Sequence, residues 1–221
     1  MVVIDAAAPV QCVHADSDVL LLYKPAGLLC VPGRGADKQD CLSRRAQHHY
    51  PDALVVHRLD QATSGLVLMA RHAAAQRSLS HAFAARAIAK RYLAIVHGHP
   101  QENANTEGWN TIDVPLMADW PRRPLQKVDF AQGKPSQTRW RTLQHDAASH
   151  STRLELEPLT GRTHQLRLHL AHIGHPILGD ALYAAQELAA ASPRLLLHAW
   201  KLGFTHPATG GWMEYSAPPP F

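Results

Sequence analysis

The stretch Val55 to Ala70, VVHRLDQATSGLVLMA, gathers residues that could do chemistry. Its polar middle, His57 to Gly65, carries an imidazole, a guanidinium, the Asp60 carboxylate and the hydroxyls of Thr63 and Ser64. A carboxylate so placed can act as nucleophile or general base, with its neighbours orienting it. The apolar runs on either side, Val55-Val56 and Leu66 to Ala70, have the length and composition of buried strands. A polar loop on rigid strands is a common platform for a site. A second reading stays open: Asp60 closes an Asx-turn, and Thr63, Ser64 and Gly65 shape the bend.

A second cluster, Thr160 to Pro176, combines His164, His169, His172 and His175 with Arg162 and Arg167. His169 and His172 make one helical ligand step. No HExxH and no nearby cysteine completes a zinc set, so no metal is expected. Arg167 shares a helix turn with Leu166 and Leu170, where a purely structural helix favours an apolar or small residue. A partly buried arginine needs a carboxylate, and Asp60 is a candidate partner. The alternative is a surface arginine whose stem covers the core.

These clusters need a scaffold, and the composition supplies one. A chain of 221 residues with 46% hydrophobic and 18% charged residues can bury a substantial core. The net charge of +4, with sixteen histidines besides, permits a polyanionic partner without requiring one. Cys12, Cys30 and Cys41 form no CxxC and are expected as plain buried thiols in a reducing compartment, a reactive Cys30 being the alternative. The N-terminus lacks the basic flank of a leader, and no run nears the roughly 18 apolar residues of a membrane span. A soluble, cytoplasmic protein with no membrane partner is expected.

The pattern predicts strands at Val10–Val13 and Val19–Tyr23, joined at Asp16-Ser17-Asp18, with Lys24-Pro25-Ala26-Gly27 breaking the second. Asp40 is expected to cap a helix reaching Tyr50, and Ala73–Arg86 a helix burying Leu79 and Phe83. A strand follows at Arg91–Val96, then a polar surface excursion over 101–111. The basic, proline-flanked segment from Asp119 to Lys127 is either a solvated loop or a phosphate-contacting arm. Gln137–Gln144 and Thr152–Glu157 form a hairpin, and a helix carrying Leu166, Leu170 and Ile173 stops at Gly174. A short helix within 184–193 and a strand–turn–strand over Leu195–Phe204 and Trp212–Ser216 close the chain. The fold class is therefore α+β, with a large mixed, mainly antiparallel sheet flanked by helices and loops. Residues 1–18 read as an extension with the first strand, and 19–221 as a single domain.

His57 to Gly65 resembles the H-R-L-D-x-x-T-S-G motif of the RluA family of pseudouridine synthases. Thr160 to Asp180 is similar to that family's second block and Arg194 to Ala199 to its third. Lys24 to Gly27, Lys90 to Tyr92 and Gly133 to Pro135 agree as well, so the similarity spans about residues 19–216. Cys30 to Arg34 and the 119–127 segment are similar to the short type, which lacks an S4 RNA-binding domain; Ser136 departs where alanine is common.

The resemblance implies an enzyme that isomerises uridines in 23S ribosomal RNA and/or the tRNA anticodon stem-loop, without cofactor or metal; a monomer is expected. On that basis Asp60 is the catalytic carboxylate, Arg167 its partner, and Tyr92 the ring that stacks on uracil. Leu195, Leu196 and Leu197 wall the base. Arg58 fills the space vacated by the flipped uridine, an internal salt bridge being the alternative. Lys24, Arg34, Arg122, Arg123, Lys127, Lys134 and Arg162 contact the RNA. Two readings of other classes compete: an RNA-binding module without chemistry, which Asp60 disfavours, and a metal-dependent hydrolase on the histidines.

Overall fold

The computed structural model describes residues 9–103 and 105–221. Residues 1–8, which open the expected extension and carry the reading on a leader, lie outside the described residues, as does Ala104 in the surface excursion.

In chain order, β1 (Gln11–Ala15) and β2 (Val19–Lys24) precede α1 (Leu42–His49), β3 (Leu54–Val55) and β4 (Ser64–Ala70). Then come α2 (Ala73–Ala84), β5 (Ala89–His97), β6 (Asn110–Asp113), β7 (Leu116–Ala118), β8 (Gln126–Val128), β9 (Gln137–Asp146) and β10 (Ser151–Pro158). α3 (Gln165–His172), α4 (Gln186–Ala190), β11 (Leu197–Thr205) and β12 (Trp212–Ser216) complete the chain. The class is α+β, with a large mixed sheet and few helices, as the pattern predicts. No described helix is long and apolar enough to cross a membrane. The chain divides into two compact units, Met1–Lys90 with Ala199–Pro220, and Arg91–His198 with Phe221.

In the first unit β2 lies between β1 and β4, antiparallel to both, in a register running from Val19 opposite Ala70 to Lys24 opposite Gly65. Every residue of β4 is buried, which is why its sequence runs apolar instead of alternating. Leu21, Leu66 and Leu68 pack with Leu79 of α2 and with Leu202 and Phe204 of β11. α2 is capped at its N-terminus by His72, whose Nδ1 accepts the Ala75 N–H. α1 corrects an expectation. Its N-cap is Cys41, with no side-chain cap, because Asp40 is taken by the Nε and Nη2 of Arg45 at 2.7 and 2.6 Å.

In the second unit β10 pairs with β5 on one side and β9 on the other, and β6 extends from β9. The segment expected as a surface excursion ends instead in the buried indole of Trp109. The guanidinium carbons of Arg91, Arg139 and Arg141 lie 5.1, 5.2 and 4.7 Å from that ring. Glu155 and Glu157 neutralise them. A ring that stacks on three paired cations can be buried among polar side chains, which polar composition does not reveal. α3 buries Leu166 and Leu170 and ends at Gly174, whose φ of +84° is the left-handed stop read from the sequence.

Gly65 opens β4 at φ +119°, and a Cβ there would meet the Ala199 carbonyl oxygen at 2.2 Å and its nitrogen at 2.6 Å. Backbone cannot yield as a side-chain tip can. Gly65→Ala is therefore expected to cost about 3 kcal/mol or more, from overpacking and an unfavourable φ combined. Urea unfolding checks this, and a variant within 0.5 kcal/mol of wild type, an ordinary surface effect, would contradict it.

Candidate active site

The Asp60 loop belongs to the first unit. From β3 the chain runs through His57, exposed Arg58, buried Leu59 and half-buried Asp60, whose carbonyl accepts the Thr63 N–H at 3.2 Å. The neighbouring residue Gln61 is clamped on both of its polar faces. Its carbonyl accepts the Gly27 N–H at 2.9 Å, and its side-chain amide donates back to the Gly27 carbonyl at 3.0 Å. Beneath it lies Lys24, with no exposed surface, whose Nζ donates to the carbonyls of Pro25, Leu28 and Gln61 at 2.9, 2.7 and 2.9 Å. The Lys24-Pro25-Ala26-Gly27 motif is thus the seat of the Asp60 loop. This corrects the expectation that Lys24 meets RNA phosphate: an ammonium buried under three carbonyls cannot reach one.

His57 is structural. Its ring stacks on Phe83 with centroids 4.4 Å apart, and its Nε2 accepts the Leu68 N–H at 2.9 Å. Burial, then the Lys90 charge, pushes its pKa from 6.5 down to about 3. Cys30 and Cys41 are buried, as expected, but Cys12 is exposed. Burial pushes the Cys30 thiol up, which disfavours the reactive thiolate.

The second unit holds the other expected residues. Tyr92 stands half-buried on β5 opposite Leu156 of β10. Leu195 and Leu197 are buried, and Leu196 is bound through its backbone to Leu178 and Ile95 at 3.0 and 3.1 Å. Arg167 is buried and grips Asp180, with Nε to Oδ2 at 2.8 Å and Nη2 to Oδ1 at 2.5 Å. Asp180 Oδ1 also accepts the N–H groups of Leu182 and Tyr183. Asp60, the partner expected from sequence, is a residue of the first unit. Asp180, the last residue of the second sequence block, is thus a partner of Arg167 that the sequence analysis does not assign; its signal is an acid closing the apolar and glycine run Ile177–Gly179.

The basic segment is a ribbon, β7 against β8, with Trp120 and Phe130 exposed. Arg122 is paired with Asp119 at 2.5 Å, Arg123 lies 3.3 Å over the Trp120 ring, and Lys127 meets Asp129 at 2.9 Å. Arg34, Lys134 and Arg162 are exposed, Arg162 touching the Pro135 carbonyl at 3.4 Å. The four histidines around α3 do not converge on a metal among the described residues. His169 is buried between Thr138 and Val114, and burial lowers its pKa to about 4. His164 meets the Tyr183 hydroxyl at 2.7 Å, and His175 the His97 carbonyl at 2.8 Å.

Comparison with known proteins interprets this arrangement. Residues 18–172 match the family model described as RNA pseudouridylate synthase. The chain belongs to that family. It is 47% identical over 208 residues to the dual-specificity RNA pseudouridine synthase RluA of Escherichia coli K12, covering 94% of this chain and 92% of the relative. The Pasteurella multocida RluA is 44% identical over 209 residues, covering 95% and 93%. Among solved structures, human RNA pseudouridylate synthase domain containing 1 superposes with a TM-score of 0.78 at 31% identity, covering 96% of this chain and 84% of that one. The chain is accordingly an RNA pseudouridine synthase, an isomerase, and the clamped loop carries the motif by which its sequence resembles the RluA branch.

Two outcomes follow from the loop. Lys24→Met removes the donor from three buried carbonyls, so stability should fall by about 2–4 kcal/mol. Hydrogen exchange of the Gly27 amide should also quicken; unchanged exchange and stability would sink the seat assigned to Lys24. The folded pKa of His57 lies below its unfolded value, so the unfolded chain takes up that proton first on acidification. Its stabilisation is complete above about pH 6.5 and is lost as pH falls towards 3, by up to about 1.4 kcal/mol per pH unit. In urea unfolding between pH 4 and 6, His57→Gln should flatten the slope by about one proton. Equal slopes would refute the assignment.

Proposed function

We propose that this pseudouridine synthase acts on 23S ribosomal RNA and on the tRNA anticodon stem-loop, with Asp60 as its catalytic carboxylate. The observation that carries the reading is the seat of Asp60, a half-buried acid on a loop whose next residue is clamped by Lys24 and Gly27. Such rigid placement is what a reacting group needs and what a simple turn does not. The substrates are supported by relatives of 44–47% identity that bear the dual-specificity name.

The reaction breaks the uridine N1–C1′ bond, turns the uracil and joins C5 to C1′. The C5 proton leaves and N1 gains one, so the product is an isomer and no oxidant or reductant enters the balance. Neither cofactor nor metal is part of this reading. Asp60 acts on the sugar–base unit as nucleophile or as base. Tyr92 is assigned the stacking ring and a part in moving the C5 proton. Leu195, Leu196 and Leu197 offer an apolar wall, and Arg167, already fixed by Asp180, keeps the catalytic role that the resemblance implies.

Extruding a stacked uridine costs a few kcal/mol. Arg58, exposed on the Asp60 loop, is assigned to the vacated space. Arg34, Arg123, Lys134 and Arg162 are assigned to phosphate; Arg122 and Lys127 join them at a discount, since Asp119 and Asp129 already neutralise them. The catalytic region is taken as 19–221, working as a monomer in the cytoplasm.

Tritium release from RNA labelled at uridine C5 tests the reading on separate 23S and tRNA transcripts. Wild type should release tritium from both. Asp60→Asn should bind RNA and melt as wild type does, yet lose at least about a thousand-fold in rate. Activity retained in that variant overturns the role of Asp60, and release from one transcript alone overturns dual specificity.

A further inference from the structure

Tyr183 stands where three elements of the second unit meet, and the chemistry above gives it no part. Asp180, which grips Arg167, also accepts the N–H groups of Leu182 and Tyr183 on Oδ1, at 2.9 and 3.3 Å. That turn carries the Tyr183 ring back over the arginine, whose guanidinium carbon lies 5.3 Å from the ring centroid. The phenol oxygen reaches further. It accepts the Gln126 N–H at 2.9 Å and lies 2.7 Å from His164 Nδ1.

Both partners of that hydroxyl occupy telling places. Gln126 opens β8, directly after the loop that carries Trp120, Arg122 and Arg123, and Lys127 follows it. The β7–β8 ribbon is fastened at its base, where Leu116 and Lys134 exchange backbone hydrogen bonds at 3.0 and 2.8 Å. The Tyr183 hydroxyl holds it again beside its basic loop. His164 takes φ +54° and ψ +19°, a left-handed conformation that a residue with a Cβ adopts only against steric resistance. As N-cap of α3 it makes no side-chain cap, and its ring meets Tyr183 edge-on instead, with centroids 5.6 Å apart. Backbone strain of this kind persists where surrounding contacts over-determine it.

We propose that Tyr183 is a positioning residue whose hydroxyl fixes the β7–β8 ribbon to the Arg167–Asp180 pair, so that RNA bound by the ribbon is presented in one register. The inference rests on the reading of the ribbon as an RNA contact. One carboxylate, that of Asp180, orients both the Arg167 guanidinium and the Tyr183 backbone. Tyr183 passes this placement on to Gln126 through a rigid ring with only two side-chain torsions. A ribbon anchored only near Leu116 could pivot there, and the anchor beside its loop removes that freedom before RNA arrives. Ordering that is complete beforehand is not charged against binding. Arg123 and Lys127 then offer their charges to phosphate in a fixed pattern.

Steady-state tritium release by the full chain, on the transcripts that wild type modifies, tests the proposal as a double-mutant cycle. Tyr183→Phe keeps the ring over Arg167 and the backbone bond to Asp180, and removes only the hydroxyl. It should raise KM for RNA at least about five-fold and leave kcat within about two-fold of wild type. Arg123→Ala/Lys127→Ala, which takes two cations from the ribbon, should raise KM as well. The two changes combined should raise KM by clearly less than the product of their separate effects, because both act through one ribbon. A Tyr183→Phe chain with wild-type KM, a loss confined to kcat, or effects that simply multiply overturns the positioning role and leaves the ribbon as an RNA contact. An Arg123→Ala/Lys127→Ala chain with wild-type KM overturns both.

Discussion

A charge with no access to water fixes the loop on which the proposed chemistry rests. Moving an ammonium out of water costs several kcal/mol unless hydrogen bonds replace its hydration. Lys24 has three donors and meets three carbonyls, those of Pro25, Leu28 and Gln61. The constraint runs both ways. None of those carbonyls can move far without stranding the charge, and the charge can sit nowhere else while β2 holds Lys24 opposite Gly65. The residue after Asp60 is therefore fixed by electrostatics from below, while the fully buried β4 fixes the far end of the loop by packing.

The second unit solves a similar problem with a different pair. The Arg167 guanidinium is planar and bidentate, so Asp180 sets its orientation as well as its charge. Asp180 is held in turn by two backbone N–H groups, which ties the arginine to the chain after α3. A buried pair of this kind adds little net stability compared with an apolar pair, but it permits one geometry only. Both units thus use buried ions to place side chains rather than to stabilise the fold.

How much of this could be read in the sequence follows the range of each interaction. Local signals carried well: the left-handed stop at Gly174, the β9–β10 hairpin, and α2 with Leu79 buried. Family membership carried well too, through HRLDQATSG and the blocks that follow it. What failed depended on partners distant in the chain. Asp40 has the right residue type for an N-cap, but Arg45, one turn along, claims its carboxylate. Trp109 sits in a polar stretch, and only the fold brings Arg91, Arg139 and Arg141 over it. Lys24 is expected at RNA phosphate from the resemblance, whereas three backbone carbonyls claim its buried ammonium. Asp180 meets Arg167 from beyond the end of α3, outside the helix periodicity that a sequence displays.

The histidines show most plainly why residue type alone misleads. A histidine count suggests metal or pH switching, yet the role of each ring is decided by the atom facing it. A backbone N–H on one nitrogen forces the proton to the other, which makes His57 and His206 proton donors at their remaining nitrogens and denies them ligand roles there. A carbonyl does the reverse, as His97 does to His175. A hydroxyl that has already given its proton away, like that of Thr152, acts as the carbonyl does and favours a proton on the Nδ1 that faces it, in His99 or His145. Backbone hydrogen bonding therefore decides, in rings that are chemically identical, which nitrogen carries the proton and which carries the lone pair. Spacing along the chain carries none of that information, since the deciding atoms belong to residues whose own side chains are irrelevant.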